Sequence, residues 1–288
     1  MAEAQIAIIG GTGLYQIDGF ADVQEVNLTT PFGSPSDSIM VGTLEGVRVA
    51  FLPRHGKGHR ISPTEVNSRA NIFALKLLGV EQVISVSAVG SMREDFAPLD
   101  VVIPDQLYDH TKSRPRSFFE EGIVAHIGFA DPFCPRLSGL LYEAARLSSA
   151  NVHRGGTYLC IEGPAFSTRA ESRIYRQWGV DIIGMTAVPE ARLAREAEMC
   201  YATLAMVTDY DVWHEGEEEV TVEMIILNLL RNVEVAKDII KRAVPQVCGS
   251  RDCSCFDALR TAIVTDWNLV PPGTRERVFP LVRKYVEG

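Results

Sequence analysis

Long apolar runs are missing from this sequence: none approaches the roughly 18 residues needed to cross a membrane. The N-terminus lacks a basic segment followed by an apolar one, which is the pattern of a secretion signal. Positive charge is also scarce, because 28 Lys and Arg stand against 37 Asp and Glu, for a net charge of −9. A surface that binds nucleic acid needs concentrated Lys and Arg. We therefore expect a soluble, cytoplasmic protein that binds neither membrane nor nucleic acid, although a few local donors could still hold a small anion.

The arrangement of apolar runs predicts the fold class. Neither an internal repeat nor a low-complexity linker interrupts the 288 residues. Predicted strands alternate with predicted helices, which indicates an α/β fold: a single domain with a central mixed β-sheet flanked by helices. We expect this domain over residues 1–247 and a cysteine-containing tail at 248–288. The predicted strands are 5–9, 47–52, 82–86, 101–104, 156–161, 180–184 and 200–207, and the predicted helices are 63–78 (capped by Ser62), 135–148, 168–178, 188–199 and 219–244.

Cysteine is infrequent, with six residues in the chain. Three are scattered among apolar neighbours and are expected to be buried thiols: Cys134, Cys160 and Cys200. The other three cluster near the C-terminus: Cys248, Cys253 and Cys255. A zinc site would need a fourth ligand, and no His follows His214. Disulfides (one of which could join the tail to the body through Cys200), free thiols and a metal site all remain open.

Two carboxylates, Asp209 and Asp211, stand just after the apolar run 200–207. Residues at this spacing point to the same face of a strand, and the carboxyl ends of strands are where open α/β sheets bind ligands. Two acids so close repel each other, so at least one can keep its proton near neutral pH and pass it to a leaving group. The alternative is a solvated turn with an acidic tip, because Asp is a favoured turn residue.

Polar or glycine-rich loops follow several other predicted strands. They are Gly10-Gly11-Thr12-Gly13, Arg54-His55-Gly56-Lys57-Gly58-His59, Ser87-Ala88 and Met185-Thr186. Together they supply a guanidinium, imidazoles, hydroxyls and backbone amides, which suit phosphate or another small oxyanion. Each has a structural explanation when taken alone: the glycines as a tight turn, Arg54 as a surface ion-pairing residue, His59 as a loop residue. Their shared position at strand ends favours a binding site.

A series of motifs in this order resembles the trimeric purine nucleoside phosphorylase family over residues 6 to about 247. The motifs are Gly10-Gly-Thr-Gly-Leu, Thr30-Pro-Phe-Gly-Ser-Pro-Ser-Asp, Arg54-His-Gly, Asn67-Ser-Arg-Ala-Asn71, Arg114-Pro-Arg-Ser-Phe-Phe, Glu162-Gly-Pro-Ala-Phe-Ser, Gly184-Met-Thr-Ala-Val-Pro-Glu190 and Thr208-Asp-Tyr-Asp. The resemblance implies a phosphorylase/hydrolase-like fold and phosphorolysis of 5′-methylthioadenosine to adenine and 5-methylthioribose 1-phosphate, in methionine and purine salvage. It implies phosphate as co-substrate and no metal or organic cofactor.

The resemblance also implies a role for individual residues. The positions that match phosphate ligands are Thr12, Arg54, His55, His59, Ser87, Ala88 through its backbone, and Thr186. The positions that match nucleoside contacts are Met185 at the ribose, Phe166 and Ser167 around the purine, Asp209 at N7 and Asp211 near the exocyclic amine. The family is similar to a homotrimer, or a dimer of trimers, in which a neighbouring subunit completes the pocket for the 5′ group. That part falls to His126, with Val222 and Ile226 nearby. Cysteine-rich C-termini resemble those of thermostable archaeal relatives, in which such pairs form disulfides.

Three other interpretations stay open. A phosphorylase for 5′-methylthioinosine or other 6-oxopurine nucleosides shares nearly all of the phosphate residues, but its signature is Asn at position 209. A carboxylate accepts from a 6-amino group, whereas a 6-oxo group would leave it an unpaired buried acceptor, at a cost of ~1–3 kcal/mol. A nicotinamide-dependent reductase is suggested by the glycines after the first strand, but the spacing of a dinucleotide fingerprint is missing. A non-catalytic binding module would not need the cations and the acid pair together.

Overall fold

The computed structural model describes residues 3–11, 13, 14, 16–214, 222–247, 249 and 251–286. For residues 222–225 it describes the backbone only. The strands are β1 (Ile6–Gly10), β2 (Ala21–Val26), β3 (Ile39–Leu44), β4 (Val47–Pro53), β5 (Gln82–Ser91), β6 (Val101–Ile103), β7 (Gln106–His110), β8 (Val152–Arg154), β9 (Thr157–Ile161), β10 (Ile182–Gly184) and β11 (Cys200–Asp209). The helices are α1 (Ser68–Leu77), α2 (Pro135–Ala145), α3 (Arg169–Gln177), α4 (Ala187–Glu196), α5 (Val222–Val247) and α6 (Pro272–Val286).

One mixed sheet runs through the molecule. Its strands follow the order β2-β3-β4-β1-β5-β10-β9-β7, and β11 is a further partner of β5 that continues to β6 and β8. The central strands β4, β1, β5 and β11 are parallel, whereas β10 runs antiparallel to β5. β1 and β11 are buried along their whole length, which explains why they read as unbroken apolar runs in the sequence.

Helices cover both faces of this sheet. Successive residues of β1 alternate between two cores, because neighbouring side chains on a strand point to opposite faces: Ala7 and Ile9 pack on one side, Ile6 and Ile8 on the other. The first core contains residues of α1, α4 and α6, and the second contains residues of α2 and α5. The predicted single-domain α/β fold with a mixed sheet is therefore confirmed. No helix in the described ranges combines the length and the apolar character that crossing a membrane requires.

Several predicted boundaries were wrong for local reasons. The helix predicted over 63–78 begins only at Ser68, because the Asn67 side chain accepts from the Ala70 amide and caps it there. Ser62 instead hydrogen bonds through its amide and its hydroxyl to the Glu65 carboxylate. The strands β2, β3, β7 and β8 were not predicted, and β5 and β11 extend further than their apolar runs. Residues 87 and 88 consequently lie inside β5 rather than in a loop.

The segment after residue 250 packs closely on the body. α6 was not predicted, yet its Val278, Leu281 and Val282 are buried in the core on the α1 side. Backbone hydrogen bonds join the stretch before α6 to residues 124–126. One of them runs from the His126 amide to the Ala262 carbonyl. The domain boundary at residue 247 stays a prediction.

Candidate active site

The middle of β5 is the framework of the site. β1 pairs with residues 82–85 of β5 and β10 with residues 90 and 91 on the same edge, so among the described strands none pairs with 86–89 there. Such a point of divergence between neighbouring strands is where α/β sheets bind ligands. The antiparallel register that opposes Ile183 to Gly90 also brings Thr186, two residues past β10, opposite Ser87.

Arg54 lies at this opening with its guanidinium almost fully buried. Nε and Nη2 donate to the two carboxylate oxygens of Glu190, at 2.5 and 3.1 Å, and Nη1 donates to the Val86 carbonyl at 2.9 Å. Burial alone would lower the Arg54 pKa, but the Glu190 carboxylate raises it, so the side chain stays charged. Arg54 is thus a fixed cation facing the gap in β5, rather than the surface ion-pairing residue of the alternative interpretation.

A chain of hydroxyl groups continues from the guanidinium. Arg54 Nη2 donates to Ser85 Oγ at 2.7 Å, and Ser85 Oγ lies 3.5 Å from Ser87 Oγ. Ser87 Oγ is 2.8 Å from Thr186 Oγ1, which is 3.3 Å from the Tyr158 hydroxyl. The structure therefore brings together three of the predicted phosphate residues from three distant parts of the sequence. The Ala88 backbone follows directly along β5, and Thr12 lies outside the described residues.

His55 borders the same cavity as Arg54 and Thr186. Its Nδ1 is 2.9 Å from the Ile61 carbonyl, and because a carbonyl oxygen only accepts, Nδ1 carries the proton. Burial and the nearby Arg54 charge lower the His55 pKa to about 4, so the ring is neutral at pH 7 and its Nε2 is an acceptor. His59 is exposed and stacks on His55 with ring centroids 4.4 Å apart. The structure thus places both predicted histidines together at the edge of the site.

The neutral His55 predicts a pH dependence of stability. The unfolded chain binds a proton at this residue below pH 6.5, whereas the folded chain does so only near pH 4. Stability is therefore lost as the pH falls from about 6.5 to about 4, by about 2–3 kcal/mol from this residue. Urea unfolding of the parent and of His55→Gln is measured in phosphate-free buffer at several pH values. The free energy of unfolding should fall less steeply with decreasing pH in the variant. Parallel curves across this pH range would rule out His55 as the cause.

Met185 follows β10 directly and borders the same cavity as Arg54 and His55. Its backbone is fixed by Arg114, whose Nη1 donates to the carbonyls of Met185 and Val188, each at 2.6 Å. Arg114 also donates from Nε to Glu162 Oε1 at 3.0 Å. Arg114 and Glu190 are site residues to which the sequence analysis gave no role. The motifs contained them, but their partners are distant in sequence.

The loop after β9 approaches this methionine. Gly163 has φ of +66°, and a Cβ there would lie 2.4 Å from Met185 Sδ, so the close approach requires glycine. Phe166 is more than half exposed, while the Ser167 hydroxyl is buried without a hydrogen-bond partner among the described atoms. The structure puts both predicted purine contacts on this loop.

The acid pair closes the other end of the site. Asp209 is the last residue of β11, and its two carboxylate oxygens accept from the Asp211 amide at 2.8 Å and from the Thr208 hydroxyl at 2.7 Å. Asp211 lies beyond the strand with φ of +55°, so the convergence comes from a turn and not from strand alternation. Burial raises the Asp211 pKa, partly offset by a hydrogen bond from Ser172, and Asp211 Oδ2 is buried without a described partner. Asp211 Oδ2 is therefore an unsatisfied buried acceptor among the described residues.

Gly90 provides the space in front of the acids. A Cβ at this position would lie 3.0 Å from Asp209 Oδ1 and 3.1 Å from Ile183 Cγ2. Gly90 and Ser87 are three residues apart on β5, which corresponds to about 10 Å along an extended strand. Because Asp209 of β11 pairs with Gly90, the acid pair and the anion cluster lie beside the same strand, at a separation comparable with the length of a ribosyl group and a purine ring.

Helix α5 packs against the acid end of β11. Asn228 and Asn232 donate from their amides to the carbonyls of Thr208 and Val207, at 2.8 and 3.0 Å. Ile226 is two residues from Asn228 and about half exposed, while the Val222 side chain lies outside the described residues. His126 is exposed, and its described hydrogen bond is a backbone contact with Ala262, so the structure does not bring it to the site of its own chain.

The chain is similar to known proteins in family, sequence and structure. The model of the Phosphorylase superfamily matches residues 5–245. The S-methyl-5′-thioadenosine phosphorylase of Geobacter sulfurreducens is 55% identical over 285 residues, which cover 99% of this chain and 100% of that protein. A crystal structure of methylthioadenosine phosphorylase from an Antarctic soil metagenomic library has a TM-score of 0.93 at 50% identity, covering 98% of this chain and 99% of the other. Methylthioadenosine phosphorylase from Schistosoma mansoni, in complex with adenine, has a TM-score of 0.82 at 38% identity, covering 88% and 96%.

Proposed function

The chain belongs to the phosphorylase superfamily, and on that premise we propose that it catalyses the phosphorolysis of 5′-methylthioadenosine to adenine and 5-methylthioribose 1-phosphate. It is a pentosyltransferase with a nucleoside and phosphate as its small-molecule substrates. One observation carries the proposal: a buried anion cluster at Ser87 and a pair of carboxylates beside Gly90 lie about 10 Å apart along β5. This arrangement fits phosphate at one end, the ribosyl group in the middle and the base at the other end.

Phosphate is the nucleophile. Arg54 and the hydroxyls of Ser87 and Thr186 hold it at the gap in β5, so that one oxygen faces C1′ of the nucleoside. This positioning converts a bimolecular attack into one within a complex. As the glycosidic bond lengthens, the ribosyl group becomes oxocarbenium-like, and the bound phosphate stabilises the positive charge electrostatically. Neutral His55 accepts from a phosphate hydroxyl through Nε2. Phosphate is a co-substrate, and the proposed reaction calls on no metal or organic cofactor.

The leaving base needs a proton, because adenine leaves poorly as an anion. Asp209 provides it by donating to, or sharing a proton with, N7, as a general acid. The hydroxyl of Thr208 lies 2.7 Å from Asp209 Oδ2 and 3.2 Å from the Val89 carbonyl. It donates to the carboxylate when Asp209 is ionised and to Val89 when Asp209 carries the proton. The surroundings therefore accommodate both protonation states of Asp209 through the catalytic cycle.

Selection of the base rests on Asp211. Its Oδ2 is a buried acceptor with no described partner, and the 6-amino group of adenine supplies the missing donor. A 6-oxo group would instead place a second acceptor against it, at a cost of ~1–3 kcal/mol, or roughly ten- to hundredfold in binding. This favours 6-aminopurine nucleosides over the 6-oxopurine substrates of the alternative interpretation.

A second copy of this chain completes the site in our proposal. The exposed face of α5 carries a stripe of apolar side chains beside the acid end of β11, namely Ile226, Leu227, Leu229 and Leu230. Apolar patches of this kind mark protein interfaces. Because His126 lies away from the site of its own chain, it would reach the 5′ group of a substrate bound by a neighbour in a homotrimer. Light scattering tests the assembly, and a monomer of 31.7 kDa would contradict it.

The proposed function predicts which nucleosides release free base. Methylthioadenosine, methylthioinosine, adenosine and inosine are each incubated with and without phosphate. We expect phosphate-dependent release of adenine, fastest from methylthioadenosine. Preference for the 6-oxo substrates would leave a phosphorylase but overturn the role of Asp211. No phosphate-dependent release from any of the four would contradict the activity, and a nicotinamide-binding assay then tests for a reductase.

A further inference from the structure

Four cysteines from three distant parts of the sequence meet outside the nucleoside site. The sulfur atoms of Cys134, Cys200, Cys253 and Cys255 all lie within 4.8 Å of one another. Cys134 precedes α2 and Cys200 begins β11, whereas the other two come from the segment after α5. All four are free thiols, and the Sγ atoms of Cys200 and Cys253 are 3.3 Å apart. Two of the four thiols therefore come from the body of the protein and two from the C-terminal segment, while Cys248 lies outside the described residues.

The two cysteines of the body are held in place by the backbone. The Cys134 amide donates to the Tyr201 carbonyl at 2.8 Å, which fixes it beside the start of β11. The Cys200 amide donates to the Glu81 carbonyl at 2.9 Å. Both residues are fully buried. Half of the cluster is thus preorganised by the sheet and by the first turn of α2.

The segment that carries Cys253 and Cys255 is held against the body on both sides of these two residues. Before it, Arg251 Nη1 donates to the Glu198 carbonyl at 3.0 Å, and Asp252 pairs with Arg136 at 3.2 Å. After it, the Leu259 amide donates to Glu198 Oε1 at 3.0 Å. Cys255 is 2% exposed, and Cys253 is partly buried. The segment that carries both thiols is therefore fixed against the body by groups other than the thiols themselves.

We propose that these four cysteines form a structural site for a thiophilic divalent cation, with Zn²⁺ as the occupant. A tetrahedral zinc with Zn–S distances of ~2.3 Å needs sulfur atoms about 3.8 Å apart, a spacing that four thiols within 4.8 Å reach by small rotations. Binding replaces four thiol protons by one Zn²⁺ without any oxidation, leaving a closed Cys₄ centre of charge −2. The N-terminus of α2 at Cys134 favours the thiolate form.

The position of the cluster makes its role structural. Cys200 and Asp209 are the first and last residues of β11, about 30 Å apart along the strand. A cation at the cluster would join the C-terminal segment to α2 and to the sheet, and would take no part in the reaction. The proposed zinc site is independent of the proposed activity.

The metal content of the protein tests the proposal. The full chain is purified in reductant without chelators and analysed for metals by mass spectrometry; about one zinc per chain is expected. Replacement of zinc by Co²⁺ should give a thiolate-to-cobalt charge-transfer band and the strong visible bands of a tetrahedral four-sulfur complex. Removal of zinc by a strong chelator should lower the Tm by roughly 5–10 °C. None of these three measurements on the parent protein depends on a variant that folds.

A cysteine outside the cluster provides the matched control. We expect Cys255→Ser to reduce bound zinc at least tenfold and Cys160→Ser to leave it unchanged. Equal loss in both variants would overturn the assignment. It would also be overturned if the reduced parent bound neither zinc nor cobalt, or if intact mass without reductant showed these cysteines joined as disulfides.

Discussion

Asp209→Asn is expected to lower the turnover of 5′-methylthioadenosine by about 10²–10⁴-fold, the usual contribution of a general acid. The amide cannot release a proton to N7, so adenine would have to leave as an anion. The fold should tolerate the change, because Asn keeps an acceptor for the Asp211 amide and its NH₂ can donate to the Thr208 hydroxyl. The phosphate KM should change less than about threefold, since Ser87 of the anion cluster is about 10 Å from Gly90, beside the acid pair.

Steady-state kinetics with varied nucleoside and varied phosphate check this prediction. Asp238→Asn, an exposed carboxylate on α5 paired with Arg242, is the matched control and should keep parental rates. Turnover of methylthioadenosine equal to that of the parent would remove Asp209 from the mechanism.

Glu190→Gln is expected to lower both stability and phosphate affinity. Glu190 is fully buried and receives two hydrogen bonds from Arg54, so the variant leaves a buried guanidinium without its counter-charge. Breaking a buried ion pair by removing one partner costs about 3–5 kcal/mol, which corresponds to a fall in Tm of roughly 6–15 °C. Because Arg54 would lose its orientation, the phosphate KM should rise at least about tenfold, with a smaller change in kcat.

The paired measurements distinguish a positioning role from a purely structural one. Asp95→Asn removes the partner of Arg93 in an exposed pair, which should cost at most about 1 kcal/mol and leave the phosphate KM unchanged. A Glu190→Gln variant that loses stability but keeps the parental phosphate KM would show that Glu190 supports the fold alone. An unchanged Tm and an unchanged KM would contradict the importance of the ion pair altogether.

The chemistry of the candidate site could be predicted from sequence because it follows strands. Each apolar run was visible, and polar side chains after parallel strands collect at one edge of a sheet. The partners of those side chains could not be predicted. Arg54 and Glu190 are 136 positions apart, and the contact between Ser87 and Thr186 depends on the antiparallel register of β10, which no local pattern encodes.

The errors also have physical causes. The exposed strand β2 carries no apolar periodicity, so its pairing with β3 is a tertiary effect that intrinsic preference does not report. The start of α1 depends on the Asn67 cap, and the proline five residues before Ser68 suggested an earlier start than the chain adopts. The cysteines are the clearest case: Cys134 and Cys200 read as isolated buried thiols, and only the packing of the C-terminal segment adds Cys253 and Cys255 to them.

Strand β5 runs beside both reacting ends of the site, and this bears on how substrates are distinguished. Strand β5 is hydrogen bonded to β11 along one edge, and on the other edge to β1 before the gap and to β10 after it. Its length therefore cannot change when a ligand enters. The distance between Ser87 and Gly90 on β5 therefore fixes the distance between the bound nucleophile and the base. Entry and release must then occur through the surrounding loops. The 5′ end of the sugar lies outside this span. A different 5′ substituent can therefore be accepted without a change in the distance between phosphate and base.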